Sequence, residues 1–420
     1  MLAKKHFLIV VSGSHGDFLS FFRIATCLKE QGYKVSFFSI TYFEKYLLGT
    51  DIPFYPIEGD FFKLFSSWDR QGRPNKMLIE NFLYPNFNLL QKYISKRPNE
   101  AFVILSSSST CRYMTDIAAE SCINSKAIHI HLSPHSYQTI DSFYKNDSRF
   151  KNLPFDMVKK ISKIYSKKNN VLLLECLNKV RKVLKLQLIA NLDDYHADDT
   201  KNHFALFPKW LVEKEEYQPK RIIFSDFLLC DIPGIGKITN NLETFLSAEP
   251  QPILVTLGSI ITGSLINSEK YLFELTKKLA KINDMRFIII SENLANEDFD
   301  TESIFITSKI NLPEVLPRVK AIVHHGGIGT IAQALKFGVP QLMLPFGHDQ
   351  FTNAGISDNL GVGAFINFSL INIRNYKQAL EKIMSDMRIK ESCIKVASSC
   401  ANSMSLDKIV DQIISSSNYK

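Results

Sequence analysis

The chain lacks any apolar run approaching the ~20 residues of a membrane-spanning helix. Its first apolar stretch, HFLIVV from His6, is too short for a secretory leader and runs directly into glycines and an acid, so it reads as a buried strand. No C-x-x-C pair occurs. The seven cysteines (Cys27, Cys111, Cys122, Cys176, Cys230, Cys393 and Cys400) are odd in number and scattered, which argues against a disulfide framework and against a zinc site, and fits a reducing cytoplasm. Also missing are a G-x-G-x-x-G fingerprint and a P-loop lysine, which sets aside the common dinucleotide and Walker-type nucleotide sites.

What is there describes a folded protein: 420 residues, 45 % apolar and 22 % charged, exceed what one core usually holds and predict two domains of roughly 200 residues each. The net charge of +8 is concentrated between Lys145 and Lys185, where KKISKIYSKKNN and NKVRKVLKLQL set basic residues among Ile, Leu and Val at helical spacing. A solvated helix face and a peripheral membrane contact both fit that pattern. No nucleic-acid partner is implied.

Short apolar runs alternate with amphipathic segments in both halves, the pattern of parallel sheets flanked by helices. Strands are expected at 7–11, 34–39, 102–106 and 127–131, with a helix at about 17–30, and then at 253–257, 286–290, 304–307, 321–324 and 341–344. Between the halves, a stretch rich in Pro, Gly and Asn predicts a linker over 228–250. The expectation is α/β: two Rossmann-like domains, 1–227 and 251–420, facing across a cleft, with the last helix free to pack back on the first domain. Ligands bind such sheets outside the carboxyl ends of their strands.

At the end of the predicted strand 321–324, Gly326, Gly327 and Gly329 remove side chains where a ligand would meet the backbone. The helix that follows begins with free N–H groups, which favour a phosphate, and His325 adds a donor at the mouth. After the next strand, Asp349 and Gln350 offer a carboxylate and an amide to neighbouring hydroxyls. Asp349 would equally serve as an N-cap for the helix beginning near Phe351. Phosphate at one loop and hydroxyls at the other point to a nucleotide sugar. The pair His129 and His131 falls on one face of a strand, open to a metal, acceptor-cleft or structural reading; the cleft reading extends to His135. The single D-x-D, Asp298 to Asp300, reads as a solvated loop, and no metal site is expected.

The in-register set His325, Gly326, Gly327, Gly329 and Thr330, then Gly338, Val339, Pro340, Pro345, Asp349 and Gln350, resembles the donor signature of family 1 glycosyltransferases, the UDP-glycosyltransferase superfamily with its bacterial natural-product and sterol glucosyltransferases. The stretch GSHGDF from Gly13 and VTLGS, ending at Gly258 and Ser259, resemble that family as well. The resemblance implies a GT-B fold and inverting, metal-independent transfer from a UDP- or TDP-sugar, as co-substrate and without a further cofactor, to a hydroxyl of a lipophilic or aromatic small molecule or a lipid. It implies that His325 contacts the pyrophosphate, that Gly258 and Ser259 approach the phosphates, and that Asp349 and Gln350 contact the sugar. Gln333 stands where many members carry a ribose-binding Glu.

Inversion needs a base on the acceptor side. The resemblance favours Asp17, with His15 as the alternative; Asp17 would also suit a helix start, where an ionised carboxylate is stabilised. No acid occurs in SSSSTC, Ser106 to Cys111, to pair with a His base. The aromatics between Phe54 and Phe87 suit either an apolar acceptor cleft or a core. A chain that binds a nucleotide sugar without catalysis, as partner to another transferase, is the competing function.

Overall fold

The computed structural model describes residues 5–59, 82–107, 111–134 except 123, 154, 157, 171–195 except 172, 193 and 194, 202–212, 222–229, 238–258, 264–283, 285–294, 302–347, 349–401 and 404–417. Ser259, His135, the Asp298–Asp300 stretch and most of the basic 145–185 segment lie outside them. Among the described residues, no helix is long and apolar enough to cross a membrane.

The chain divides into two compact units. The first holds the described residues through Leu228 together with those from Met404 onward, and the second holds those from Leu229 to Ala401. In the first, β1 (His6–Val10), β2 (Lys34–Ser39), β3 (Phe54–Pro56), β4 (Phe102–Ser107), β5 (Ser125–His131), β6 (Asn202–Ala205) and β7 (Ile222–Phe224) form one sheet. Its order is β3-β2-β1-β4-β5-β6-β7, with every pairing parallel. In the second, β8 (Ile253–Thr256), β9 (Phe287–Ile290), β10 (Ile304–Thr307), β11 (Ala321–His324), β12 (Gln341–Met343) and β13 (Gly363–Phe365) are ordered β10-β9-β8-β11-β12-β13, again all parallel. Both orders reverse direction beside their first strand, between β1 and β4 and between β8 and β11, and such a switch point opens a crevice at the carboxyl edge.

The central strands are buried on both faces, as FLIV in β1 and AIV in β11 require. The helix His15–Glu30 covers the first sheet through Phe18, Phe21, Ile24, Ala25 and Leu28, an i, i+3, i+4 series. The last helix, Leu406–Ser416, joins the same core through Ile409, Val410 and Ile413. Lys5 Nζ donates to the Ser417 hydroxyl at 2.7 Å to fix its end. Phe82 and Phe87, from the aromatic-rich region, are buried in this core, and Phe87 also lines an apolar pocket with Leu83, Tyr84, Tyr113 and Leu173.

The stretch expected as a linker, 228–250, contains a helix, Asn240–Ser247, N-capped by Thr239. Leu242, Phe245 and Leu246 pack under the second sheet with Leu254, Ile288 and Ile322. Arg286 secures its carboxyl end, its guanidinium donating to Phe245 O at 2.6 Å and Ala248 O at 2.5 Å. Flanking Pro and Gly hid a three-residue apolar stripe that is enough to fold onto the sheet.

Candidate functional site

The β8/β11 switch point carries the glycine loops. Thr256 and His324 end their strands side by side in register, so Gly258 and residues 325–327 leave the sheet together. Gly258 has φ +82°, and a Cβ there would lie 2.5 Å from His325 Cε1. A Cβ on Gly327 would collide with His325 Nε2. The imidazole is therefore held between two glycines that no side chain could replace without moving it. His325 Nδ1 is buried without a hydrogen-bond partner among the described residues. Burial pushes His325 down to about 4, against an opposing pull from the Asp349 charge, so it is a neutral donor at neutral pH. Gly327 is also the N-cap of the helix Ile328–Lys336, and no side chain caps that end. Its first-turn N–H groups, at Ile328, Gly329 and Thr330, face a place suited to an anion. Gly329 is exposed, and a Cβ there would meet nothing within 4 Å. Packing does not explain this glycine; approach of a ligand to the backbone would.

Behind the loop, His324 is fully buried, its Nε2 3.0 Å from Gln341 Oε1, while its Nδ1 accepts from Gly326 N at 3.2 Å. These partners fix the Nε2–H tautomer. Burial, aided by His325 next to it, pushes His324 down to about 3. A His neutral in the folded state and titrating near 6.5 when unfolded contributes stability that is complete above pH 6.5 and is lost as pH falls toward the folded value. Each such His removes about 1.4 kcal/mol per pH unit inside that window. Thermal unfolding of the second unit, followed from about pH 7.5 to about pH 5, is expected to shift downward, and His324→Gln is expected to flatten the shift. An unchanged slope in the variant would assign the acid sensitivity elsewhere.

Asp349 occupies the N-cap position of the helix Gln350–Asn359, yet its side chain caps nothing. It accepts instead from Asn353 Nδ2 at 2.9 Å. Gln350 turns its amide oxygen into its own loop, accepting from Phe346 N at 2.8 Å. Its amide nitrogen, rather than its oxygen, is the group left to address a ligand. Gln333 is 6 % exposed, and its Oε1 has no partner among the described residues. A buried carbonyl oxygen without a donor is costly, and a ligand hydroxyl would satisfy it. Thr330 lies in the first turn of the same helix, partly buried.

At the first sheet's carboxyl edge, Ser14 N-caps the helix His15–Glu30 and Asp17 completes a capping box. Asp17 Oδ2 accepts from Ser14 N at 2.7 Å and from Ser14 Oγ at 2.8 Å. The helix starts two residues earlier than expected, so Asp17 sits inside its first turn instead of ahead of it. Gly13, with φ +147°, yields its side-chain space to that carboxylate. His15 Nε2 lies 3.1 Å from the Tyr46 hydroxyl, and its ring packs edge-on against Tyr42 and Phe43.

His131, expected at an acceptor cleft, is 1 % exposed, with Nε2 3.0 Å from His203 Nδ1. Burial, with His203 beside it, holds it well below the usual range for histidine. His129 pairs with Asp116, Nε2 to Oδ1 at 2.7 Å, and the Tyr195 hydroxyl donates to the same carboxylate. An acid absent from Ser106–Cys111 thus stands in the second turn of the next helix, Cys111–Glu120, where Asp116 pairs with His129. His324, Gln341 and Asn353 were not singled out from sequence. Asn353 had a signal, lying four residues after Asp349 on one helix face; the His324–Gln341 contact joins neighbouring strands and had none.

The family described as Erythromycin biosynthesis protein CIII-like, C-terminal domain, matches residues 280–415. The sterol 3-beta-glucosyltransferase of Vanderwaltozyma polyspora is 28 % identical over 198 residues, 43 % of this chain and 16 % of that protein. The vancomycin aglycone glucosyltransferase of Amycolatopsis orientalis is 30 % identical over 134 residues, 31 % of each. The chain thus spans well under half the length of these relatives. Among solved structures, the spinosyn forosaminyltransferase SpnP superposes with TM-score 0.70 at 13 % identity over 99 % of this chain and 100 % of its own. The glycosyltransferase VinC, in complex with dTDP, does so with TM-score 0.69 at 14 % identity over 98 % and 99 %. With two parallel switch-point sheets and superpositions over nearly the whole chain, the chain has the GT-B fold, and its residues 280–415 are similar to the EryCIII-like C-terminal domain family.

Proposed function

We propose that the protein transfers a sugar from a UDP- or TDP-sugar to a hydroxyl of a lipophilic small-molecule or lipid acceptor, with inversion and without a metal. The reading is carried by His325, a neutral imidazole fixed between Gly258 and Gly327 at an uncapped helix start. That arrangement suits a diphosphate, with the helix N–H groups and the imidazole N–H stabilising the charge that builds as it leaves. Asp349 takes the sugar hydroxyls, assisted by the Gln350 amide, and Gln333 takes a hydroxyl of the nucleotide. In the transfer, the acceptor oxygen attacks the anomeric carbon as the bond to the diphosphate breaks. The proton of the acceptor passes to Asp17, and the electron pair leaves with the nucleotide diphosphate. Relatives named for sterol and antibiotic-aglycone glycosylation support the acceptor class.

Incubation with UDP-glucose or TDP-glucose and phenolic, sterol and macrolide acceptors tests this. The expected product carries the anomeric configuration opposite to the donor, in equal yield with and without EDTA. Donor binding with no transfer to any acceptor would favour the non-catalytic partner, a reading that Asp17's engagement as a capping residue keeps in play. Retention of configuration, or loss of activity on chelation, would remove the corresponding part of the mechanism.

A further inference from the structure

The glycine loop and the carboxylate assigned to the sugar meet at one side chain. Asn353, 1 % exposed, uses its single amide nitrogen twice, donating to Gly326 O at 3.0 Å and to Asp349 Oδ2 at 2.9 Å. The two donors of one –NH₂ group thus tie the backbone of the diphosphate loop to the carboxylate across from it. Gly326 is held from its other side as well, its N–H donating to His324 Nδ1 at 3.2 Å. With φ +88°, it is the residue at which the loop turns, and both its peptide polar groups end on buried side chains. Asp349, by contrast, makes no capping bond to its own helix, so the Asn353 amide is what orients it.

We infer that Asn353 is a positioning residue that sets the placement of Asp349 relative to the diphosphate loop, and through it the contribution of the sugar to donor affinity. This rests on the proposed nucleotide-sugar reading of the site. A carboxylate meeting a sugar hydroxyl must hold its position to within about half an ångström to be useful, and a buried amide using both of its N–H donors supplies that restraint. Asn353→Asp would put an acceptor against two acceptors, the Gly326 carbonyl and the Asp349 carboxylate, and turn the tie into a repulsion. Asn353→Ala removes the tie and leaves Asp349 without that donor.

Isothermal titration with UDP, UDP-glucose, TDP and TDP-glucose separates the two halves of the ligand. The readout is the Kd of the nucleotide sugar divided by that of the bare diphosphate. In Asn353→Ala and Asn353→Asp this ratio is expected to rise about 10-fold or more, the loss of one buried charge-assisted hydrogen bond. Asp349→Ala is expected to raise it similarly, and adding Asn353→Ala to that variant is expected to change it no further, because the first residue acts through the second. A merely structural Asn353 would weaken both ligands together and leave the ratio where it was. Asn353→Ser, with a shorter donor, serves if the alanine variant does not fold. A ratio unchanged in all three variants, or additive effects in the double variant, overturns the role of Asn353 alone. Wild-type protein that binds none of the four ligands overturns the nucleotide-sugar reading and this inference together.

Discussion

Asp17→Asn is expected to lower turnover by at least ~100-fold while donor affinity stays within about 2-fold of wild type. The substitution is chosen for what it leaves in place. Asp17 Oδ2 accepts from the backbone and hydroxyl of Ser14, and the amide oxygen of Asn can accept both bonds, so the helix keeps its capping box while the side chain loses the ability to take a proton. Alanine would confound the two effects, since losing a capping interaction alone costs about 1 kcal/mol. Gly13→Ala approaches the same carboxylate from outside. At φ +147°, the added Cβ would occupy the space of the Asp17 side chain, so this variant is expected to lower both turnover and thermal stability. His15→Ala completes the comparison. Its ring packs against Tyr42 and Phe43 and bonds to Tyr46, so a modest fall is expected if it only supports the site. A ~100-fold fall in His15→Ala beside near-normal turnover in Asp17→Asn would transfer the base to His15.

The features that sequence made legible are those with a one-dimensional signature. All nine expected strands occur within two residues of their expected ends, because each contains a short apolar run, which in the central strands is buried on both faces. Four were not foreseen. β3, β7 and β13 are three-residue edge strands, and β3 ends on Pro56, a residue tolerated only where no further pairing is needed. β6 is the sequence NHFA, too short and too polar to stand out, and it enters the sheet because β5 and β7 lie on either side of it. The same division runs through the site. His325 and the glycines are read from spacing, but the clamp of Gly258 and Gly327 on the imidazole depends on β8 and β11 pairing residues 68 positions apart in the chain, a register no local pattern encodes. His131 shows the converse. Alternation correctly put it on one face with His129, but the partner that determines its surroundings, His203, arrives on the unforeseen β6.

That clamp makes Gly327→Ala the most informative single change in the second unit. The added methyl would run into His325 Nε2 and come within 2.9 Å of Cε1, while on the opposite face Gly258 leaves Cε1 only as much room as a missing Cβ provides. The ring cannot retreat toward Gly258 without meeting its backbone, so it must rotate out of the loop and take its N–H away from the diphosphate position. A hydrogen bond to a charged group contributes about 1.5–3 kcal/mol, so Kd for UDP or TDP is expected to rise ~10- to ~150-fold. Gly327 is at the surface end of a helix, partly buried, with no positive φ to violate, so the melting temperature should move by only a few degrees. Gly329→Ala is the companion measurement. Its methyl would meet no protein atom within 4 Å, so stability and the His325 ring should be untouched, and any loss of affinity there reports a ligand lying against the backbone at that position. Should Gly327→Ala bind UDP and TDP as wild type does, His325 is not a diphosphate ligand, and the glycines that confine it serve only to pack a histidine.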